Sequence, residues 1–317
     1  MWTPSSIPDL TGKVMLVTGG NAGLGREAVK QLALHGAKVY MGARSEKRAT
    51  QSIKEILSEC PSIPEGRIVW LQLDLSDLSR VVSAAQEIMV GESRLDVLVN
   101  NAGTGAMDFI TTKEGFELTM ATNHVGHFVL TSKLLPLLKA TAGKPGSDVR
   151  VVNISSVADK WAPSSNILAS IEDLNDPCAS PHNAGGRIAM FRRYGLSKLA
   201  NILFTRELQH RLNQEGVDII PVSANPGPVS TQGGLGAFLA IVRPVMRLFA
   251  PTPEKGAIVS LFCATADDIV RNKDGYKGQF LGPKGDIATG SLRSQDMRLA
   301  ETLWKTTETA LKNAGIE

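Results

Sequence analysis

Cysteine is scarce in this chain. The three present, Cys60, Cys178 and Cys263, are widely spaced and odd in number, which argues against a disulfide framework or a metal cluster and fits reduced thiols in a cytoplasmic protein. Excess charge is lacking as well. The net charge is +3, and no dense Lys/Arg run is interleaved with aromatics, themselves only 5% of residues, so nucleic acid is not an expected partner. No window reaches the ~18 apolar residues of a membrane-spanning helix. The start of the chain, residues 1–8, has neither a basic run nor an apolar core of signal-peptide length, so secretion is not expected. With 43% hydrophobic and 21% charged residues over 317 positions, the chain has the composition of a soluble enzyme with a well-buried core.

What is present is a repeated strand-helix pattern. Residues 13–18, Lys-Val-Met-Leu-Val-Thr, read as a strand buried on both faces. They lead into Gly19-Gly20-Asn21-Ala22-Gly23-Leu24-Gly25, followed by helical periodicity. Strand, glycine turn and helix together suit a pyrophosphate, with backbone approaching closely and free N–H groups at the helix start. A methyltransferase-like glycine loop is the competing reading. A second strand, residues 37–43, ends at Arg44, with Lys47 just beyond. A ribose 2′-hydroxyl is usually met there by a carboxylate and a 2′-phosphate by a cation, so NADP(H) is expected with Arg44 on the phosphate; the plainer alternative is a surface arginine at a strand end. The third strand, 67–73, ends in Asp74 and Leu75, where a carboxylate can meet the adenine amino group and the next backbone can line the ring. The fourth, 95–99, ends in Asn100-Asn101-Ala102-Gly103, small residues and amides that allow contact with a nucleoside and can tie strands together.

A mostly helical stretch, 113–138, carries Asn123, an amide of modest helix propensity that is expected to disturb the helix and hold a water. His124 and His127 within it read as packing or surface residues. The fifth strand, 148–156, ends at Ser156, whose hydroxyl can donate to a substrate oxygen or cap the next element. Tyr194 and Lys198 then stand at i and i+4 in a helical run, so both side chains can point into one cleft. A phenol titrates near ~10, and a cation held close favours the phenolate and makes proton exchange with an alcohol or carbonyl feasible.

The order of these motifs resembles the short-chain dehydrogenase/reductase family over nearly the whole chain: residues 18–25, Asp74, 100–103, Asn123, Ser156, Tyr194 to Lys198, and Asn225-Pro226-Gly227-Pro228-Val229-Ser230-Thr231. Within the family it is similar to the retinol-dehydrogenase and protochlorophyllide-reductase type, on Leu10-Thr11-Gly12-Lys13 and Asn123-His124-Val125-Gly126-His127-Phe128. The resemblance implies a doubly wound parallel α/β sheet (Rossmann fold) with helices on both faces, in a single domain spanning 1–317. It implies that Tyr194 exchanges the proton, Lys198 lowers its pKa and holds the nicotinamide ribose, Ser156 orients the substrate oxygen and Asn123 anchors a water. Dinucleotide contacts are expected from Gly19, Asn21, Gly23, Leu24, Gly25, Arg44, Lys47, Asp74, Leu75, Asn101, Ala102, Gly103, Tyr194, Lys198, Pro226, Gly227, Val229 and Thr231; no metal is expected.

Two departures stand out. Asn225 occupies a position where this type often has His, and the interval from Ser156 to Tyr194 is long. The insertion, about 157–190, is expected to be a loop with at most a short helix around 167–174. It would shape the pocket or obstruct the helix-pair dimer common in the family, leaving a monomer or homodimer. The apolar stretch 235–249 reads as part of a lid, about 232–252, over a small hydrophobic substrate, or as an amphipathic patch on a membrane aided by Arg243 and Arg247. Residues 253–264 read as a helix. The stripe Met297, Ala300, Trp304 and Leu311 is expected to pack on the sheet. The function expected is NADP(H)-dependent interconversion of a hydrophobic ketone or aldehyde and its alcohol. The alternatives are a catalytically silent dinucleotide-binding regulator and a methyltransferase; the latter is disfavoured because Tyr-x-x-x-Lys has no role there and Arg44 replaces the ribose-binding acid.

Overall fold

The computed structural model describes residues 2–179, 186–227 and 252–316. Seven parallel strands form one sheet in the order β3-β2-β1-β4-β5-β6-β7. They are β1 Val14–Thr18, β2 Lys38–Ala43, β3 Ile68–Gln72, β4 Val97–Asn100, β5 Val149–Ile154, β6 Ile219–Ala224 and β7 Phe280–Leu281. The central strands are buried along their whole length, as parallel strands covered on both faces must be. Alternation divides their side chains between two apolar layers. Val14, Leu16, Leu98, Val149 and Val151 point into one; Met15, Val17, Val97, Val99 and Val152 point into the other.

The first layer is closed by α3 (Leu78–Gly91), α4 (Gly126–Ala142) and α5 (Arg187–Gln214), and the second by α1 (Gly23–Leu34), α2 (Glu46–Glu59) and α6 (Pro253–Thr265). α6 begins with its proline in the first turn, as expected. The last helix, α7 (Met297–Asn313), differs from expectation in what it covers. Its Trp304 stacks on Phe204 of α5 at 5.6 Å and 18° and meets Phe128 of α4 at 4.8 Å, so the stripe packs on the helical layer and not on the sheet. An apolar stripe states that a helix is buried, not against what.

Two further differences bear on the site. The stretch expected to be helical from 113 begins at Leu118, passes through a π-helical turn, Ala121–Val125, and then continues as α4. The disturbance falls on Asn123. β7 joins β6 through only two residues, too short to carry a periodicity. The insertion holds a 3-10 turn, Val157–Trp161, and a short helix, Ile171–Leu174. The expected lid lies almost wholly outside the described residues.

Candidate active site

At the carboxyl end of β1, the Thr18 hydroxyl accepts the N–H groups of Asn101 and Ala102, both at 2.9 Å, while the Asn101 side chain donates to the Thr18 carbonyl at 2.8 Å. The turn after β1 and the turn after β4 are thereby held as one surface. Gly19 has φ +65°, and a Cβ on it would sit 3.0 Å from Ala102 Cα. A Cβ on Gly25 would sit 2.4 Å from the Gly19 carbonyl, so no other residue fits there without moving backbone. Asn21 precedes α1, and Gly23 and Leu24 form its first turn. Its N-cap, Ala22, gives no side-chain cap, and there is no acid in its first turn, which leaves its N–H groups for an anion.

Beyond β2, Arg44 and Lys47 are exposed, and neither has an ion-pair partner among the described residues. The indole of Trp70 donates to the Ala43 carbonyl at 3.0 Å and fixes that strand end. Asp74 is partly engaged: its Oδ1 accepts from the Ser76 N–H at 3.0 Å and hydroxyl at 2.6 Å. Leu75 has its side chain in the core, leaving only its backbone to line a ligand. Free N–H donors, an uncapped helix start and, among the described residues, cations without an ion-pair partner stand at the carboxyl ends of β1 and β2 and fit the phosphates of a dinucleotide.

Ser156 caps the 3-10 turn, accepting from the Ala158 N–H at 3.2 Å, and its side chain is near enough to Tyr194 to favour the phenolate. The capping reading of this serine is what the structure shows. Lys198 lies one turn after Tyr194 on α5, with Nζ 5.5 Å from the phenol ring centroid and donating to the Ile154 carbonyl at 3.0 Å. The expected lowering of the phenol is not what this geometry produces. Burial pushes Tyr194 up, with Ser156 pulling the other way, and it is Lys198 that burial depresses, to about 8. The ammonium is aimed at a carbonyl rather than at the phenol oxygen.

Asn123 is fully buried. Its Oδ1 accepts from the Thr104 N–H at 2.8 Å, and its amide donates to the Thr104 carbonyl at 3.1 Å and to Ser197 Oγ at 2.9 Å. With both amide protons used, a water would have to be held through the main-chain carbonyl. That carbonyl also faces His127 Nδ1 at 3.1 Å, while His127 Nε2 lies 2.8 Å from the Thr18 hydroxyl. A carbonyl cannot donate, so Nδ1 carries the proton and Nε2 accepts from Thr18. Burial holds His127 neutral, its pKa pushed down to about 4. His124 is likewise buried, against Phe128 and Phe204, and no cluster of metal-binding side chains occurs among the described residues.

Gly103 is next to this group, since a Cβ there would lie 3.1 Å from Asn123 Oδ1 and 3.6 Å from Lys198 Nζ. After β6, Asn225 Oδ1 accepts the Gly227 N–H at 3.1 Å, giving Pro226 and Gly227 a fixed turn; Val229 and Thr231 lie outside the described residues. Several supporting residues escape a motif reading. Ser155 Oγ donates to the Lys198 carbonyl at 2.7 Å, Ser197 Oγ to the Tyr194 carbonyl at 2.7 Å, and Asn201 to the Ile154 carbonyl at 3.0 Å. Asn201 is the one that spacing could have marked, three positions after Lys198 on the same helix face; nothing local marks Thr104.

A family model described as short chain dehydrogenase matches residues 13–167. Over 314 residues the chain is 47% identical to the short chain dehydrogenase/reductase dpchH of Colletotrichum higginsianum, covering 99% of this chain and 78% of that one. A solved structure of an uncharacterised protein from Mycobacterium paratuberculosis superposes with a TM-score of 0.72 at 31% identity, over 98% of this chain and 97% of its own. NADPH-bound carbonyl reductase from chicken fatty liver superposes with a TM-score of 0.58 at 26% identity, over 88% of this chain and 100% of its own.

Proposed function

The chain belongs to the short-chain dehydrogenase/reductase family and is therefore an NAD(P)-dependent oxidoreductase; from that premise we propose that it interconverts a hydrophobic ketone or aldehyde and its alcohol, prefers NADP(H), and uses Tyr194 to move the proton. The observation that carries this reading is the grouping of Ser156, Tyr194 and Lys198 at one sheet end, with Ser156 among the groups acting on the phenol and Lys198 Nζ 5.5 Å from the ring. When bound, the dinucleotide supplies or accepts the hydride.

The residues of the chain then do the following. Burial keeps the Tyr194 phenol protonated at neutral pH, the state needed to donate to a carbonyl oxygen. Ser156 orients that oxygen. As the proton leaves, the Lys198 ammonium, on the same helix face with Nζ 5.5 Å from the ring centroid, opposes the growing tyrosinate charge. One of its three donors is used by Ile154, leaving two for the phenol and the nicotinamide ribose. Asn123 acts through its carbonyl, on a water that resupplies the proton.

The NADP(H) preference rests on Arg44 and Lys47, cations without partners, and on the NADPH held by the chicken carbonyl reductase. The three free thiols support a cytoplasmic location. The test is NADPH consumption over a panel of terpenoid, polyketide and retinoid carbonyls. Tyr194→Phe is expected to keep NADPH binding and lose 10²-fold or more of turnover; near-normal activity would rule out its role. A silent dinucleotide-binding regulator would be favoured if no carbonyl or alcohol were turned over.

A further inference from the structure

The turn that begins at Ser156 ends at Trp161, and on that side it borders a cleft of about 830 Å³ whose lining includes Lys160, Trp161, Pro163, Ile188, Phe191 and Arg192. Trp161 and Phe191 meet edge to face at 5.5 Å, yet Trp161 remains 51% exposed and Ile188 70% exposed. This volume and apolar wall are those of a small-molecule site, and nothing in the catalytic arrangement uses them. The cleft is linked to the phenol by α5. Phe191 lies one helical turn before Tyr194 and Ile188 two turns before, roughly 5 and 9 Å along the axis. Tyr194 itself is not among the lining residues, but Ile188, Phe191 and Tyr194, at i, i+3 and i+6, follow one face of α5, so the cleft and the phenol lie along the same side of that helix.

Charge decides what that end carries. Lys160 and Arg192 are both exposed at the cleft. No Asp or Glu is among the lining residues, and neither cation has an ion-pair partner among the described residues. The wall is also held in place from behind: Arg293 donates to the Pro163 carbonyl at 2.6 Å and to the Asn166 carbonyl, and the Ser291 N–H donates to Asp159 at 2.6 Å. It is therefore in place before a ligand arrives, which limits the ordering cost of binding.

We propose that this cleft receives the far end of the substrate, and that this end is an anionic group, a carboxylate or acidic enol, on an apolar body. The proposal rests on the oxidoreductase reading for its other end. It is tested on the full chain with NADPH bound, using two dyes that share a ring system: 8-anilinonaphthalene-1-sulfonate, an anion, and N-phenyl-1-naphthylamine, which lacks the sulfonate. In Lys160→Glu/Arg192→Glu the Kd of the anionic dye should rise about tenfold, the sum of two modest surface attractions lost and reversed, while that of the neutral dye changes less than twofold. Lys160→Gln/Arg192→Gln should give a smaller rise of the same kind, and Trp161→Ala should weaken both dyes. The anionic dye should also inhibit carbonyl reduction competitively. An unchanged Kd for the anion, equal weakening of both dyes in the charge variants, or binding without competition would overturn the proposal. Because dye binding needs no turnover, a chain that reduces no carbonyl would sink the oxidoreductase reading while the dye affinities still report on the cleft.

Discussion

Lys198 is the residue on which the chemistry is most finely balanced. It is 4% exposed, and burial alone depresses it to about 8, against about 10.4 for a free lysine. Below about pH 8 it is a cation able to oppose a tyrosinate; above, it becomes neutral and that help is lost. Tyr194, pushed upward, loses its own proton only at higher pH. The kcat/KM for NADPH in carbonyl reduction reports groups of the free enzyme, and it should fall as pH rises through about 8, approaching tenfold per unit. Lys198→Met should be slow throughout and lack that limb. A wild-type profile flat to pH 10 would remove Lys198 from the proton transfer. Arg44 invites a separate measurement. Its loss to alanine should raise KM for NADPH about tenfold while leaving NADH within twofold, since only the former carries the phosphate a guanidinium meets; a preference for NADH that survives the change would sink the assignment.

At the scale of elements, the site depends on how tightly the 3-10 turn lies on α5. A Cβ on Gly195 would meet the Ala158 carbonyl at 2.5 Å and the Ala162 nitrogen at 3.0 Å. Gly195→Ala should strengthen the helix locally, by up to ~1 kcal/mol, yet lift the turn that carries Ser156. The expected result is a fall in kcat of tenfold or more, with NADPH affinity and circular dichroism unchanged; full activity would show that the turn's seat is not required. How far such elements can be read in advance depends on the range of the forces that make them. The strands and their polar ends were legible because periodicity and turn residues are local, and Asn123 announced the π-turn because it is a weak helix former. Ser156, Tyr194 and Lys198 were legible because they recur in one order. The packing of Gly195 was not, nor the Arg293 clamp, whose acceptors Pro163 and Asn166 lie 130 and 127 positions away in the chain. The Thr18-His127-Asn123 chain likewise joins β1 to a helix across 109 positions; only its Asn123–His127 step, at i and i+4, follows a spacing rule.

For the whole molecule the question is what covers the outer faces of α4 and α5. Among the described residues α7 lies on these helices. Trp304 packs on both Phe128 and Phe204, and the Arg211 guanidinium lies over its ring at 4.3 Å. Among the described residues α4 exposes no large hydrophobic side chain, and α5 exposes only Ile188, near its start. A standard interface buries roughly 800 Å² per partner, and among the described residues this face, covered by its own chain, exposes little apolar surface for one. Sedimentation equilibrium at micromolar concentration should therefore give the mass of one chain. Trp304→Ala should cost about 3 kcal/mol or more of stability, as truncation of a buried tryptophan does, and the newly uncovered Phe128 and Phe204 should promote self-association. A tight dimer of the unaltered protein that survives with α7 in place would show that another face carries the contact and that covering this one does not decide the assembly.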